Sequence, residues 1–84
     1  MTRDDVRRSF IELLRPELKG VDSSSITDAT SLITDLNINS LRIVDIALEA
    51  EDRFGIHVDN EAVKRFYTVG GAVDMILERK LAAA

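Results

Sequence analysis

Few side chains in this sequence are equipped for chemistry. It has no cysteine and a single histidine, His57, which excludes thiol catalysis, thiolate zinc sites and disulfides. A histidine-dependent nucleophilic triad would rest on that one loop residue, and a lone histidine in a loop reads as solvated. The fifteen acidic residues include Asp4-Asp5, Glu49-Glu51-Asp52 and Asp59 with Glu61, which read as helix surface and caps. A paired-carboxylate enzyme also needs a cleft, which a small bundle rarely builds. Neither a glycine-rich phosphate loop nor calcium-loop spacing is present, and no metal site is expected. The reading is therefore not an enzyme. What remains is Ser40, in Leu36-Asn37-Ile38-Asn39-Ser40-Leu41, where a polar stretch meets the most strongly patterned helix. A hydroxyl there sits among unpaired N–H groups at the positive end of a helix dipole, a setting that favours negative charge. The same position suits a plain helix cap, so position alone leaves both roles open.

The elements that must hold Ser40 follow from periodicity. With 84 residues the chain is expected to form one domain across 1–84, around a single core. Hydrophobic residues are 45% of the chain and aromatics 5%, which points to helices packed through Leu, Ile, Val and Ala. A first helix from about Arg3 places Val6, Phe10, Leu13 and Leu14 on one face and ends near Leu14 or Arg15, because Pro16 disfavours helical geometry before it. Residues 20–39 are rich in Ser, Thr, Asp and Asn, yet Val21, Ile26, Leu32, Ile33, Leu36 and Ile38 punctuate them and would pin this long connection across the helices. A short helical turn is expected over 31–36.

The second helix, capped by Asn39 or Ser40, carries a core stripe of Ile43, Ile46, Ala47, Ala50 and Phe54 and stops at Gly55. A charged stripe of Arg42, Asp45, Glu49 and Asp52 lies on its other side. Between them, Leu41, Val44 and Leu48 form a second apolar stripe, a seam that can dock a partner. Ile56-His57-Val58 reads as a crossing segment with Ile56 and Val58 inward, followed by a brief helix through Ala62, Val63 and Phe66 capped by Asp59 or Asn60. Thr68 opens a last helix with Val69, Ala72, Val73, Ile76 and Leu77 buried, where Gly70 and Gly71 allow close approach. A net charge of -4 argues against nucleic acid. Lacking a signal-like apolar run or a membrane-length segment, the chain is expected to be cytoplasmic, without membrane insertion, and monomeric.

Taken together, Asn39-Ser40-Leu41 after a long polar loop, Phe54-Gly55-Ile56 closing the second helix and Thr68-Val69-Gly70 opening the last resemble the acyl carrier protein family across the whole chain. The family signature is Asp-Ser-Leu, and Asn39-Ser40-Leu41 matches two of its three positions. The resemblance implies an all-α four-helix bundle with a long loop between helices 1 and 2 and a short third helix. It implies a 4'-phosphopantetheine arm, derived from coenzyme A, attached to Ser40 by a phosphopantetheinyl transferase, with Asn39 and Leu41 flanking the attachment. The arm's thiol would carry acyl groups as thioesters, which fits a chain without cysteine.

Expected partners are the transferase and acyl-loading, synthase or acyltransferase enzymes. They would meet Leu41, Arg42, Val44, Asp45, Leu48, Glu49, Glu51 and Asp52 on the second helix. A growing acyl chain would fold back against Ile43, Ile46, Ala47, Phe66 and Ala72. Asn39 in place of aspartate and Arg42 beside the serine point to a dedicated lipid or secondary-metabolite pathway. Two other readings stand beside this one: a peptidyl or aryl carrier, which usually has a Gly-Gly-His/Asp-Ser motif where this chain has Ile38-Asn39-Ser40, and an unmodified helical interaction module.

Overall fold

The structure, a computed structural model, describes residues 2–83, so Met1 and Ala84 of the expected 1–84 domain lie outside the described residues. It is all-helical: α1 (Arg3–Leu14), α2 (Ser40–Phe54), the short α3 (Asn60–Val63) and α4 (Val69–Ala83), with 3-10 turns at Arg15–Glu17, Ser23–Ser25 and Lys64–Tyr67. This is the expected four-helix bundle with a long first loop. α1 begins with a capping box that the apolar pattern did not show: Thr2 Oγ1 accepts from the Asp5 N–H and the Thr2 N–H donates to Asp5 Oδ2, each at 3.1 Å. Its end coincides with the 3-10 turn that contains Pro16.

The core is continuous. Val6, Phe10, Leu13 and Leu14 of α1 pack with Ile43, Ile46, Ala47, Ala50 and Phe54 of α2 and with Val69, Ala72, Val73, Met75 and Ile76 of α4. Phe10 and Phe66 meet edge to face with ring centroids 5.8 Å apart, which ties α1 to the turn after α3. Met75 joins the core beside the expected face of α4, and Leu77 is only partly buried.

The long loop is fixed by both apolar anchors and backbone pairing. Ile26, Leu32, Leu36 and Ile38 are buried, while Val21 and Ile33 are half-buried. The Leu32 N–H donates to Tyr67 O, the Val69 N–H to Thr30 O and the Gly70 N–H to Asp28 O, at 2.9 to 3.0 Å. These bonds lace the loop to the start of α4, with an isolated antiparallel bridge between Ser31 and Thr68. The expected helical turn at 31–36 is present as a single turn, the Asp35 N–H donating to Ser31 O in the helical i+4 to i pattern and the Leu36 N–H sharing that carbonyl. Ser31 caps it, its Oγ accepting from the Thr34 N–H and its N–H donating to Asp35 Oδ2, and Asn37, in a left-handed conformation (φ 56°), ends it after one turn.

The glycines of α4 explain why the loop can come so close. A Cβ on Gly70 would stand 2.9 Å from Asp28 Cβ, and one on Gly71 would stand 2.6 Å from Arg65 O. Both are closer than packed atoms tolerate. Thr68 caps the helix, its Oγ1 accepting from the Gly71 N–H at 3.1 Å.

Candidate functional site

The loop delivers its end to a defined point. Leu36 and Ile38 are buried, and the Ile38 N–H donates to Leu32 O at 2.9 Å, so the backbone immediately before α2 is anchored. Asn39 is extended (φ -76°, ψ 160°) and its Oδ1 accepts from the Arg42 N–H at 2.8 Å, while its carbonyl accepts from the Ile43 N–H. Of the two cap candidates, Asn39 therefore does the capping. Ser40 is the first helical residue, exposed, and its hydroxyl enters none of the described hydrogen bonds. In the first turn, the N–H groups of Ser40 and Leu41 have no intrahelical acceptor and lie at the positive end of a fifteen-residue helix. A free hydroxyl next to unpaired donors fits a phosphodiester.

The seam expected beside the serine is present. Leu41, Val44 and Leu48 are 81%, 44% and 53% exposed, unusually open for large apolar side chains on a patterned helix. Asp45, Glu49 and Asp52 are exposed on the same arc. Two of the proposed contact residues differ from that arrangement. Arg42 is drawn down against Glu17 of the 3-10 turn, with Glu49 at 3.3 Å and Asp45 at 3.6 Å, and its guanidinium pKa is raised, first by the hydrogen bond to Glu17. It is a clasp between the end of α1 and the start of α2. Glu51 points the other way: its Oε2 accepts from the Val58 N–H at 2.7 Å and lies 3.3 Å from His57 Nδ1. That carboxylate holds the crossing segment 56–58, in which Ile56 and Val58 are buried as expected. His57 stays solvated, its side chain 81% exposed.

Asp59 caps α3 through the Ala62 N–H, which holds its carboxyl below the ordinary range, helped by Arg79 and His57. Ile43, Ile46, Ala47, Phe66 and Ala72, the expected lining for a folded-back acyl chain, are fully packed. The space that Gly71 leaves is taken by Arg65 O. An acyl chain would enter there only by displacing these packed side chains.

Sequence reasoning missed the Glu17–Arg42 clasp because its partners lie 25 residues apart. It also missed Lys19 and the cleft of about 330 Å³ that Lys19 helps to line beside Asn39. No helix among the described residues is long and apolar enough to cross a membrane, and no cluster of three or more His, Cys, Asp or Glu among them is placed to hold a metal ion.

Comparison with known proteins agrees with this arrangement. The family model described as "Phosphopantetheine attachment site" matches residues 8–76. An acyl carrier protein of Thermotoga maritima is 38% identical over 73 residues, covering 87% of this chain and 89% of the relative. Among solved structures, an acyl carrier protein from Enterococcus faecalis superposes with a TM-score of 0.80 at 30% identity, covering 94% of this chain and 99% of that one. A hexanoyl acyl carrier protein from the actinorhodin polyketide synthase of Streptomyces coelicolor gives 0.75 at 27% identity, covering 100% and 95%. The chain belongs to the phosphopantetheine-attachment family of acyl carrier proteins. Its cofactor is 4'-phosphopantetheine, its role is to carry acyl groups, and its partners are a phosphopantetheinyl transferase and acyl-processing enzymes.

Proposed function

We propose that Ser40 is the residue that bears the phosphopantetheine arm, and that the chain delivers thioester-bound acyl groups in a dedicated lipid or secondary-metabolite pathway without catalysis of its own. The observation that carries the assignment of Ser40 is the division of labour at the start of α2. Asn39 supplies the cap, so the exposed Ser40 hydroxyl is left without a structural task. The arm, once attached, supplies the thiol that this cysteine-free chain lacks. The chain's own residues do the rest. Unpaired first-turn N–H groups face negative charge at Ser40, and the Glu17–Arg42 clasp fixes the helix start against α1.

Leu41, Val44 and Leu48 offer apolar contact to the partner enzymes. Asp45, Glu49 and Asp52 offer carboxylates to basic groups around it. We read Arg42 and Glu51 as framing this surface, since each is engaged within the fold. The working unit in this reading is a cytoplasmic monomer forming one domain, with the seam left for enzymes.

Incubation with coenzyme A and a broad-specificity phosphopantetheinyl transferase, followed by intact-mass measurement, tests the assignment. The wild-type chain is expected to gain the mass of one phosphopantetheine and Ser40→Ala to gain none. Modification of Ser40→Ala, or no gain on the wild-type chain with several transferases, would overturn it.

A further inference from the structure

Around α2, at about 100° per residue, Ser40, Val44, Leu48, Leu41, Asp52 and Asp45 follow one another over about 140° of the helix surface, and each is exposed. Glu49 and Arg42 come next, on the side that meets α1. An enzyme that acts on the Ser40 hydroxyl itself has to lay its surface along this arc, because the reacting atom stands at one edge of it.

The charge on the arc is uneven. Of the four carboxylates of α2, Glu51 is held by the Val58 N–H, while Arg42, clasped by Glu17, keeps its guanidinium 3.6 Å from Asp45 and 3.3 Å from Glu49. Glu17 takes the closest share of that guanidinium, so Asp45 and Glu49 are not neutralised, but any cation brought to them is opposed by one already in place. Asp52 makes no ion pair or hydrogen bond among the described residues. Its neighbour Arg53 is turned to α1, donating to Ser9 O at 3.2 Å. Asp52 also borders an open groove of about 440 Å³ between α1 and α2 whose lining includes Leu13 and Pro16. The aliphatic stem of a lysine or arginine fits such a lining while its head reaches the carboxylate.

We propose that Arg42 is a specificity-determining residue for the phosphopantetheinyl transferase. It withdraws Asp45 and Glu49 from recognition, so the transferase meets apolar side chains near Ser40 and one available carboxylate, Asp52, about 18 Å further along the helix. The transferase surface that fits has an apolar patch opposite Leu41, Val44 and Leu48 and a lysine or arginine opposite Asp52. An enzyme that sets its basic group opposite Asp45 instead, about 8 Å along from Ser40, meets Arg42 and is disfavoured. A second copy of this chain does not match the arc, because its own open face is likewise apolar and acidic. The inference rests on the assignment of Ser40, whose hydroxyl is taken as the atom the transferase must reach.

The probe is a phosphopantetheinyl transferase shown by intact mass to modify the wild-type chain and not Ser40→Ala; finding none is a failure of the Ser40 assignment and is read separately. Initial rates of modification of the full chain, with coenzyme A saturating, then give kcat and KM for each variant. Asp52→Asn is expected to raise KM about fivefold with kcat within about twofold of wild type, and Asp45→Asn to raise KM by less than about twofold. Arg42→Gln removes the charge but keeps a donor for Glu17, and in that background Asp45→Asn should raise KM about threefold or more. Arg42→Lys keeps the cation and should retain the small Asp45 effect. Thermal unfolding checks that each variant is folded, and the comparison of Asp45 with Asp52 uses exposed residues and stands without the Arg42 variants. Equal KM changes for Asp45→Asn and Asp52→Asn, or an Asp45 effect that is the same with and without Arg42, would overturn the proposal. So would an unchanged KM in Asp52→Asn.

Discussion

Helices α2 and α4 have the same length, fifteen residues, yet α2 turns Leu41, Val44 and Leu48 to solvent while α4 buries Val69, Gly70, Ala72, Val73, Met75 and Ile76. The reason lies in what each helix touches. α4 meets α1, α2, the Lys64–Tyr67 turn and, at its first turn, the long loop, so most of its circumference is covered. α2 meets α1 and α4 on one face only, and the α3 region along an edge. Stability is concentrated on the enclosed helix and its neighbours. The residues available to partners are on the helix with one face open, where they change without disturbing the core.

Variants on the two sides can break that contrast. Phe66→Ala removes a fully buried ring packed on Phe10, and a loss of about 3–5 kcal/mol is expected in denaturant unfolding. A loss below about 1 kcal/mol would mean that the enclosed side is less tightly packed than it looks. On the open side, Leu41→Ser with Leu48→Ser should leave unfolding within about 0.5 kcal/mol of wild type for each change. The same pair should weaken binding to a cognate enzyme by about tenfold, or about 1.4 kcal/mol, in a titration of the modified protein. Unchanged binding would remove the seam from the docking surface.

Gly71→Ala tests close approach alone. Alanine favours a helix by about 1 kcal/mol, but its Cβ would meet Arg65 O at 2.6 Å, and overpacking of that kind costs about 1–3 kcal/mol. A net loss of about 1 kcal/mol is expected, and a gain in stability would show that the turn after α3 yields. The smallest effect is from acid. Asp59 is held below the ordinary carboxylate range by the Ala62 N–H, and Glu78 by its hydrogen bond with Arg65. A carboxyl whose folded pKa is depressed adds stability above its unfolded pKa and loses it as pH falls through the folded value. The melting temperature should be flat from pH 8 to about 6 and fall gradually below about pH 4–5. Both groups are exposed, so Asp59→Asn should flatten that fall only slightly.

Much of this was legible in the chain. The apolar faces of α1 and α2, the stops at Pro16 and Gly55 and the caps at Asp59 and Thr68 are local properties, and each appears at its expected place. The apolar residues of 20–39 announced that the loop is pinned, but not what pins it. Backbone pairing to residues 67–70 joins segments about 40 residues apart in the chain, and no periodicity records it. The same limit applies to Met75, whose burial comes from the number of neighbours around α4 and not from its position on one apolar stripe.

The sequence by itself determined that the chain is helical, that it has no thiol of its own, and that Ser40 stands where a polar stretch becomes an amphipathic helix. Those are matters of residue type and spacing, which act over a few positions at a time. Only the tertiary structure decided that Asn39, and not Ser40, makes the cap, that Arg42 answers Glu17, and that Glu51 is engaged with the segment at 57–58. Each of those depends on which side chain reaches a group first. That is set by how the loop and helices are laid against one another, since a hydrogen-bonding group taken by one partner is no longer open to the next.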